Sequence, residues 1–126
     1  MNSKIERELR QRMIRQWTID CFGREVSDNI HERVSRLFEE VVELAQAELL
    51  PVEAMHKIIE HVYSKPVGNR AQEVGGISVT LLAYCALQGF SADDCEHFEL
   101  MRVLNLPKDH FRQRQAVKAE AGVAKI

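Results

Sequence analysis

The sequence predicts an all-α fold, an antiparallel helical bundle of four to five helices, and three observations predict it. Apolar residues recur every three to four positions along most of the chain. Only 6 Gly and 3 Pro occur in 126 residues, too few for the frequent turns of a sandwich or barrel. Helix-starting and helix-stopping residues also stand at the ends of the periodic runs, and the connections between runs are short, as antiparallel neighbours require.

The first helix opens on a capping box, Ser3 with Glu6, and carries Ile5, Leu9, Met13, Ile14 and Trp17 at helical spacing up to about Asp20. Gly23 ends it. Ser27, Asp28 and Asn29 offer N-caps for the second helix, the strongest periodic signal in the chain. Its Ile30, Val34, Leu37, Phe38, Val41, Leu44 and Ala45 share one face, which places Glu32, Arg36, Glu39 and Glu43 opposite and Glu40 at the border.

Pro51 suits the first turn of a third helix, with Val52, Met55, Ile58, Ile59 and Val62 on its apolar side and Tyr63 at its end. Ser64 to Asn69, containing Pro66 and Gly68, is a loop. The fourth helix runs from about Arg70 to Gln88 with Val74, Ile77, Leu81, Leu82 and Cys85, and Gly89 is its C-cap. Ser91 and Asp94 form a capping box for the fifth helix, which Pro107 must stop. Residues 1–107 are thus a helical-bundle domain. Residues 108–126 are a basic C-terminal tail with five Lys and Arg against Asp109 and Glu120, helical by itself or ordered by a ligand.

Composition narrows the function. Hydrophobic residues make up 45% and charged residues 29% of the chain, which describes one globular domain long enough to bury a core without a stapling metal. A metal site would therefore serve chemistry. Seventeen basic against nineteen acidic residues give a net charge of −2, too balanced for a protein that grips duplex nucleic acid through its phosphates. Cys21, Cys85 and Cys95 form no C-x-x-C pair, so they read as small core residues in a reducing compartment. No apolar run approaches the ~20 residues of a membrane span, and the first fifteen residues are too charged for a signal peptide. The expectation is a cytoplasmic protein that binds no membrane.

The chemical signal lies in carboxylates. Residues three or four apart on a helix are neighbours, so Glu39, Glu40 and Glu43 repel one another unless a cation or basic side chains neutralise them. Oxygen-only ligands select hard ions such as Mg²⁺ or Mn²⁺. A solvated acidic face paired with Arg33 and Arg36 accounts for the same pattern. In the fourth helix Glu73 precedes Gly75 and Gly76, and two glycines inside a helix cost about 1 kcal/mol each relative to alanine. They mark either a closely packed helix or room for a ligand beside Glu73. No G-x-x-x-x-G-K-[ST] sequence occurs, which excludes a P-loop ATPase.

The remaining residues are plainer. Trp17 reads as core or interface rather than a base-stacking platform. The five histidines are scattered, with His56 and His61 at the wrong spacing to share a ligand face. Tyr84 and Cys85 read as core, and Phe98, Met101 and Leu104 as core or subunit interface.

The stretch Arg36-Leu37-Phe38-Glu39-Glu40-Val41-Val42-Glu43-Leu44-Ala45-Gln46-Ala47 resembles the E-E-x-x-E helix of the MazG-like all-α nucleoside triphosphate pyrophosphohydrolases. Glu73-Val74-Gly75-Gly76 with the apolar Ile77 to Leu87 is similar to that family's E-x-x-D helix. The resemblance spans roughly Trp17 to Leu104. It implies a Mg²⁺- or Mn²⁺-dependent hydrolase that splits a nucleoside triphosphate into a monophosphate and pyrophosphate. It assigns Glu40, Glu43 and Glu73 as metal ligands and Glu39 as the group that orients or deprotonates water. Gly76 stands where the family has its second acid, and 29 residues separate Glu43 from Glu73, slightly more than usual. Arg112, Arg114 and Lys118 in the basic tail are candidates for contacting phosphate. The family is also homodimeric or larger, with a cleft partly formed between subunits. The alternative is a non-catalytic MazG-like nucleotide-binding or regulatory protein that lost hydrolysis with the acid at position 76.

Overall fold

In the computed structural model, which describes residues 3–124 with side-chain surroundings from residue 6 onward, six helices follow one another and no strand occurs among the described residues. They are α1 (Ser3–Ser27), α2 (Ile30–Ala47), α3 (Val52–Tyr63), α4 (Arg70–Gln88), α5 (Ala92–Asn105) and α6 (Lys108–Glu120). No single helix among them is long and apolar enough to cross a membrane. The Ser3 half of the predicted capping box and the Ile5 side chain lie outside the described residues.

Helix limits follow local chemistry. Gly23 breaks α1 with φ 77° and ψ 166°, a conformation open to glycine and costly for any residue with a Cβ. Asn29 starts α2 by accepting a hydrogen bond from the Glu32 N–H at 2.9 Å, and Asn69 starts α4 by accepting from Gln72 N–H at 3.1 Å. Ser91 Oγ accepts from Asp94 N–H at 3.2 Å at the start of α5. Gly89 closes α4 in the left-handed region, φ 73°. The turn after α2 has the same hydrogen-bond pattern, Leu49 N–H to Gln46 O and Leu50 N–H to Ala45 O, but places a leucine at φ 61° where glycine is preferred.

The helices fall into two units, Met1–Glu43 with Leu100–Ile126, and Leu44–Glu99. In the first, α6 packs against α1. Phe111 is buried, its ring meeting Trp17 edge-on at 4.8 Å, and Trp17 in turn meets Phe22 at 6.1 Å. Cys21, Val26 and Leu100 complete the buried hydrophobic set of this unit. Trp17 and Cys21 are therefore packing residues, as their sequence context implied, whereas Cys95, expected to be a core residue like the other cysteines, is exposed. The basic segment is not set apart, since residues 108–120 form α6 and contribute to this core.

Arg112 explains part of that docking. Its Nε donates to the Cys21 carbonyl at 2.8 Å and its Nη2 to the Asp20 carbonyl at 3.0 Å. These carbonyls stand just before the break at Gly23, where the end of a helical leg needs donors from outside the ladder, and the guanidinium supplies two.

The polar side of α2 is where the structure departs from expectation. Glu32, placed opposite the apolar face by periodicity, is 4% exposed and accepts a hydrogen bond from Gln115 Nε2 at 3.0 Å. Arg36 Nε lies 3.3 Å from the same carboxylate, and Arg36 also donates to the Val123 carbonyl. The apolar residues Val34, Leu37, Phe38 and Val41 are exposed. Polar residues of α6 matched in charge and hydrogen bonding to the polar side of α2 cause this inversion, which periodicity within α2 alone does not encode.

In the second unit Cys85 is the only buried hydrophobic side chain among the described residues. Tyr84, half-buried, lies 6.4 Å from Phe90, and burial together with the nearby Glu48 carboxylate raises its phenol above the ordinary value, while Gln88 Nε2 donates to Glu48 Oε2 at 2.7 Å. Phe98 is exposed and Met101 and Leu104 only partly covered, so the apolar stripe of α5 is not enclosed as a core would be.

Candidate functional site

Helix α2 carries three of the predicted site residues on adjacent turns. Glu39 is the most enclosed of them and is held by two cations, Arg36 Nη1 at 2.6 Å from Oε2 and Lys118 Nζ at 3.2 Å from Oε1. Glu40 and Glu43 are exposed. The i,i+3 pair Arg36–Glu39 is the kind that relieves carboxylate repulsion along a helix. Arg33 is also drawn in here: burial lowers its guanidinium below the usual value, with the adjacent Glu32 carboxylate opposing that shift.

Glu73 occupies the first turn of α4, its N–H bonded to the Asn69 carbonyl at 2.9 Å. Its side chain folds back over Gly68, where a built Cβ would come within 2.6 Å of Glu73 Oε1. The absence of a side chain at position 68 is what leaves space for that carboxylate. Among the described residues, the positions a Cβ would take at Gly75 and Gly76 meet nothing within 4 Å outside the helix itself.

Among the described residues no three His, Cys, Asp or Glu side chains gather closely enough to hold a metal ion. The donor type at Glu40, Glu43 and Glu73 suits a hard divalent ion. All five histidines are exposed, as their scatter suggested. Of the phosphate candidates, Arg112 is committed to the α1 carbonyls and to Asp109 at 3.0 Å, Lys118 to Glu39, and Arg114 is exposed.

Sequence reasoning did not find the Glu32–Gln115 contact or the Arg112 cap. The first had no signal, because Gln115 lies on another helix far along the chain. The second had a partial one, since a helix broken by Gly23 leaves carbonyls that some donor must satisfy.

Compared with protein-family models, with curated proteins and with solved structures, the chain matches none.

Proposed function

We propose that this protein is a metal-dependent nucleoside triphosphate pyrophosphohydrolase with a MazG-like helical bundle, releasing a nucleoside monophosphate and pyrophosphate in the cytoplasm. The observation that carries the reading is the acidic pair of motifs, Glu39-Glu40-x-x-Glu43 on α2 and Glu73 at the start of α4, set in an all-helical chain. Under this reading Glu40, Glu43 and Glu73 hold Mg²⁺ or Mn²⁺. The ion's chemistry is to neutralise triphosphate oxygens and the charge that grows on departing pyrophosphate. Glu39 takes a proton from the attacking water. It must first exchange one of its present cationic partners for that water, and Lys118, on a different helix, is the partner free to turn toward a phosphate instead.

The working form on this reading is a homodimer or larger. A second copy explains the open apolar faces: Val34, Val41 and Phe38 of α2 are each more than half exposed, and α3 and α4 expose Ile58, Val62, Val74 and Leu82. Surfaces of that kind are costly in water unless another surface covers them.

The decisive experiment is a pyrophosphate-release screen over ribo- and deoxyribonucleoside triphosphates with Mg²⁺ and Mn²⁺. Release by the wild type and none by Glu43→Gln is expected, together with a metal-dependent rise in melting temperature that the variant lacks. An unchanged melting shift in the variant removes Glu43 from the site. The second reading, a non-catalytic nucleotide-binding or regulatory protein, is favoured by the neutralisation of Glu39 by Arg36 and Lys118 and by Gly76. Nucleotide binding without pyrophosphate release across the panel would decide for it.

A further inference from the structure

We infer that the cleft where α3 gives way to α4 is the nucleotide-binding groove, with Tyr63 stacking on the base and Lys65 meeting the phosphates, an assignment that rests on the hydrolase reading and extends it. The cleft measures about 470 Å³ and lies wholly within the second unit, bounded by Tyr63, Lys65, Pro66, Val67, Gly68 and Glu73. Its volume falls in the range that admits a small molecule.

The lining is not explained by folding. Tyr63 is 87% exposed and Val67 fully so, which means neither contributes to a core. Yet the segment that presents them is held in place. Ser64 N–H donates to the Glu60 carbonyl at 3.1 Å, Lys65 N–H to the Val62 carbonyl at 3.1 Å, and Ser64 Oγ to the His61 carbonyl at 2.6 Å. Pro66 then fixes the next backbone angle. An aromatic face, a flexible ammonium and a carboxylate therefore border one cleft on a braced turn. A planar aromatic ligand bearing a polyanion matches the first two, since bases stack on rings and ammonium groups meet phosphate as point charges. Glu73 supplies the third group, and Gly68 leaves room for it.

Gly68 also gives a variant that separates position from stability. The three atoms nearest an alanine Cβ there all belong to the flexible Glu73 side chain, so the carboxylate must move and the fold is expected to survive.

The test is calorimetry on the full chain with an α,β-methylene triphosphate analogue and Mg²⁺, in parallel with sedimentation velocity. Tyr63→Leu and Lys65→Gln should each weaken binding about tenfold or more with unchanged melting temperature. Gly68→Ala should weaken it in the same direction. Analogue affinity within about twofold of wild type in both Tyr63→Leu and Lys65→Gln overturns the assignment. So does a change in oligomeric state that accounts for the loss, which would make the cleft a contact between copies. Pyrophosphate release that persists while these variants bind normally leaves the hydrolase reading standing without the groove. Analogue binding that depends on Tyr63 and Lys65 without any release leaves the groove standing without the hydrolase.

Discussion

Lys118 Nζ lies 3.2 Å from Glu39 Oε1, tying the basic C-terminal helix to the acidic motif of α2. Both residues stand out in the sequence as groups that would act on a substrate. In the free chain each has the other as partner. The contact makes α6 an integral neighbour of the candidate site rather than an appendage, and gives the charge of Lys118 a structural use.

Because the pair is partly open to water, Lys118→Met should change unfolding free energy by less than about 1 kcal/mol, measured by urea denaturation. Glu39→Gln should be similarly mild for stability but should stop pyrophosphate release. A Lys118→Met loss above about 2 kcal/mol would mean the carboxylate face of α2 is chiefly a docking surface for α6.

Arg112 should matter more. Replacing it with Met keeps much of its stem but takes charged donors from the Asp20 and Cys21 carbonyls, a loss of about 1–2 kcal/mol by the same measurement. Arg112→Lys should recover only part, since an ammonium lacks the planar fork that reaches two carbonyls at once. Full recovery would show that charge, not geometry, docks α6.

Leu49 holds a left-handed backbone conformation at φ 61°, while 86% of its surface is exposed. Leu49→Gly should therefore raise stability by about 1 kcal/mol, seen as a higher melting temperature, because the steric cost disappears and little packing is lost. Gly89→Ala, at φ 73°, should lower stability by about the same amount.

Cysteine reactivity should divide by burial. Cys95 is exposed, whereas burial raises the Cys21 thiol above its ordinary value despite the opposing charge of Arg112. Alkylation followed by peptide mass spectrometry should label Cys95 first, with Cys21 lagging even at alkaline pH. The sign for stability follows. As pH rises through the ordinary thiol range the unfolded chain ionises Cys21 before the folded one does, so this residue's contribution is complete below that range and lost above it. A Cys21 that reacts as fast as Cys95 would show that the α1–α6 contact opens readily.

How much was legible in the sequence depended on range. Asn29, Ser91 and Gly89 mark helix ends by contacts with residues within a few positions, and all three do so in the structure. Glu73 was recognisable as a residue of interest, but its seat over Gly68 required knowing how the side chain folds back at the start of α4. Tyr63 and Lys65 passed as ordinary helix-end and loop residues, because nothing local distinguishes a cleft wall from a solvated turn.

The sequence by itself determined that the chain is helical and marked several helix ends, since spacing, caps and breakers act through neighbours along the backbone, but it left α6 open and stopped α1 at Gly23, where the structure continues to Ser27. Tertiary structure alone decided which side of α2 is covered. Periodicity marks two faces of that helix, but Gln115 and Lys118 of α6 select the polar one by satisfying Glu32 and Glu39. A buried carboxylate is tolerable only beside its partner, and the partner's position is a property of the fold.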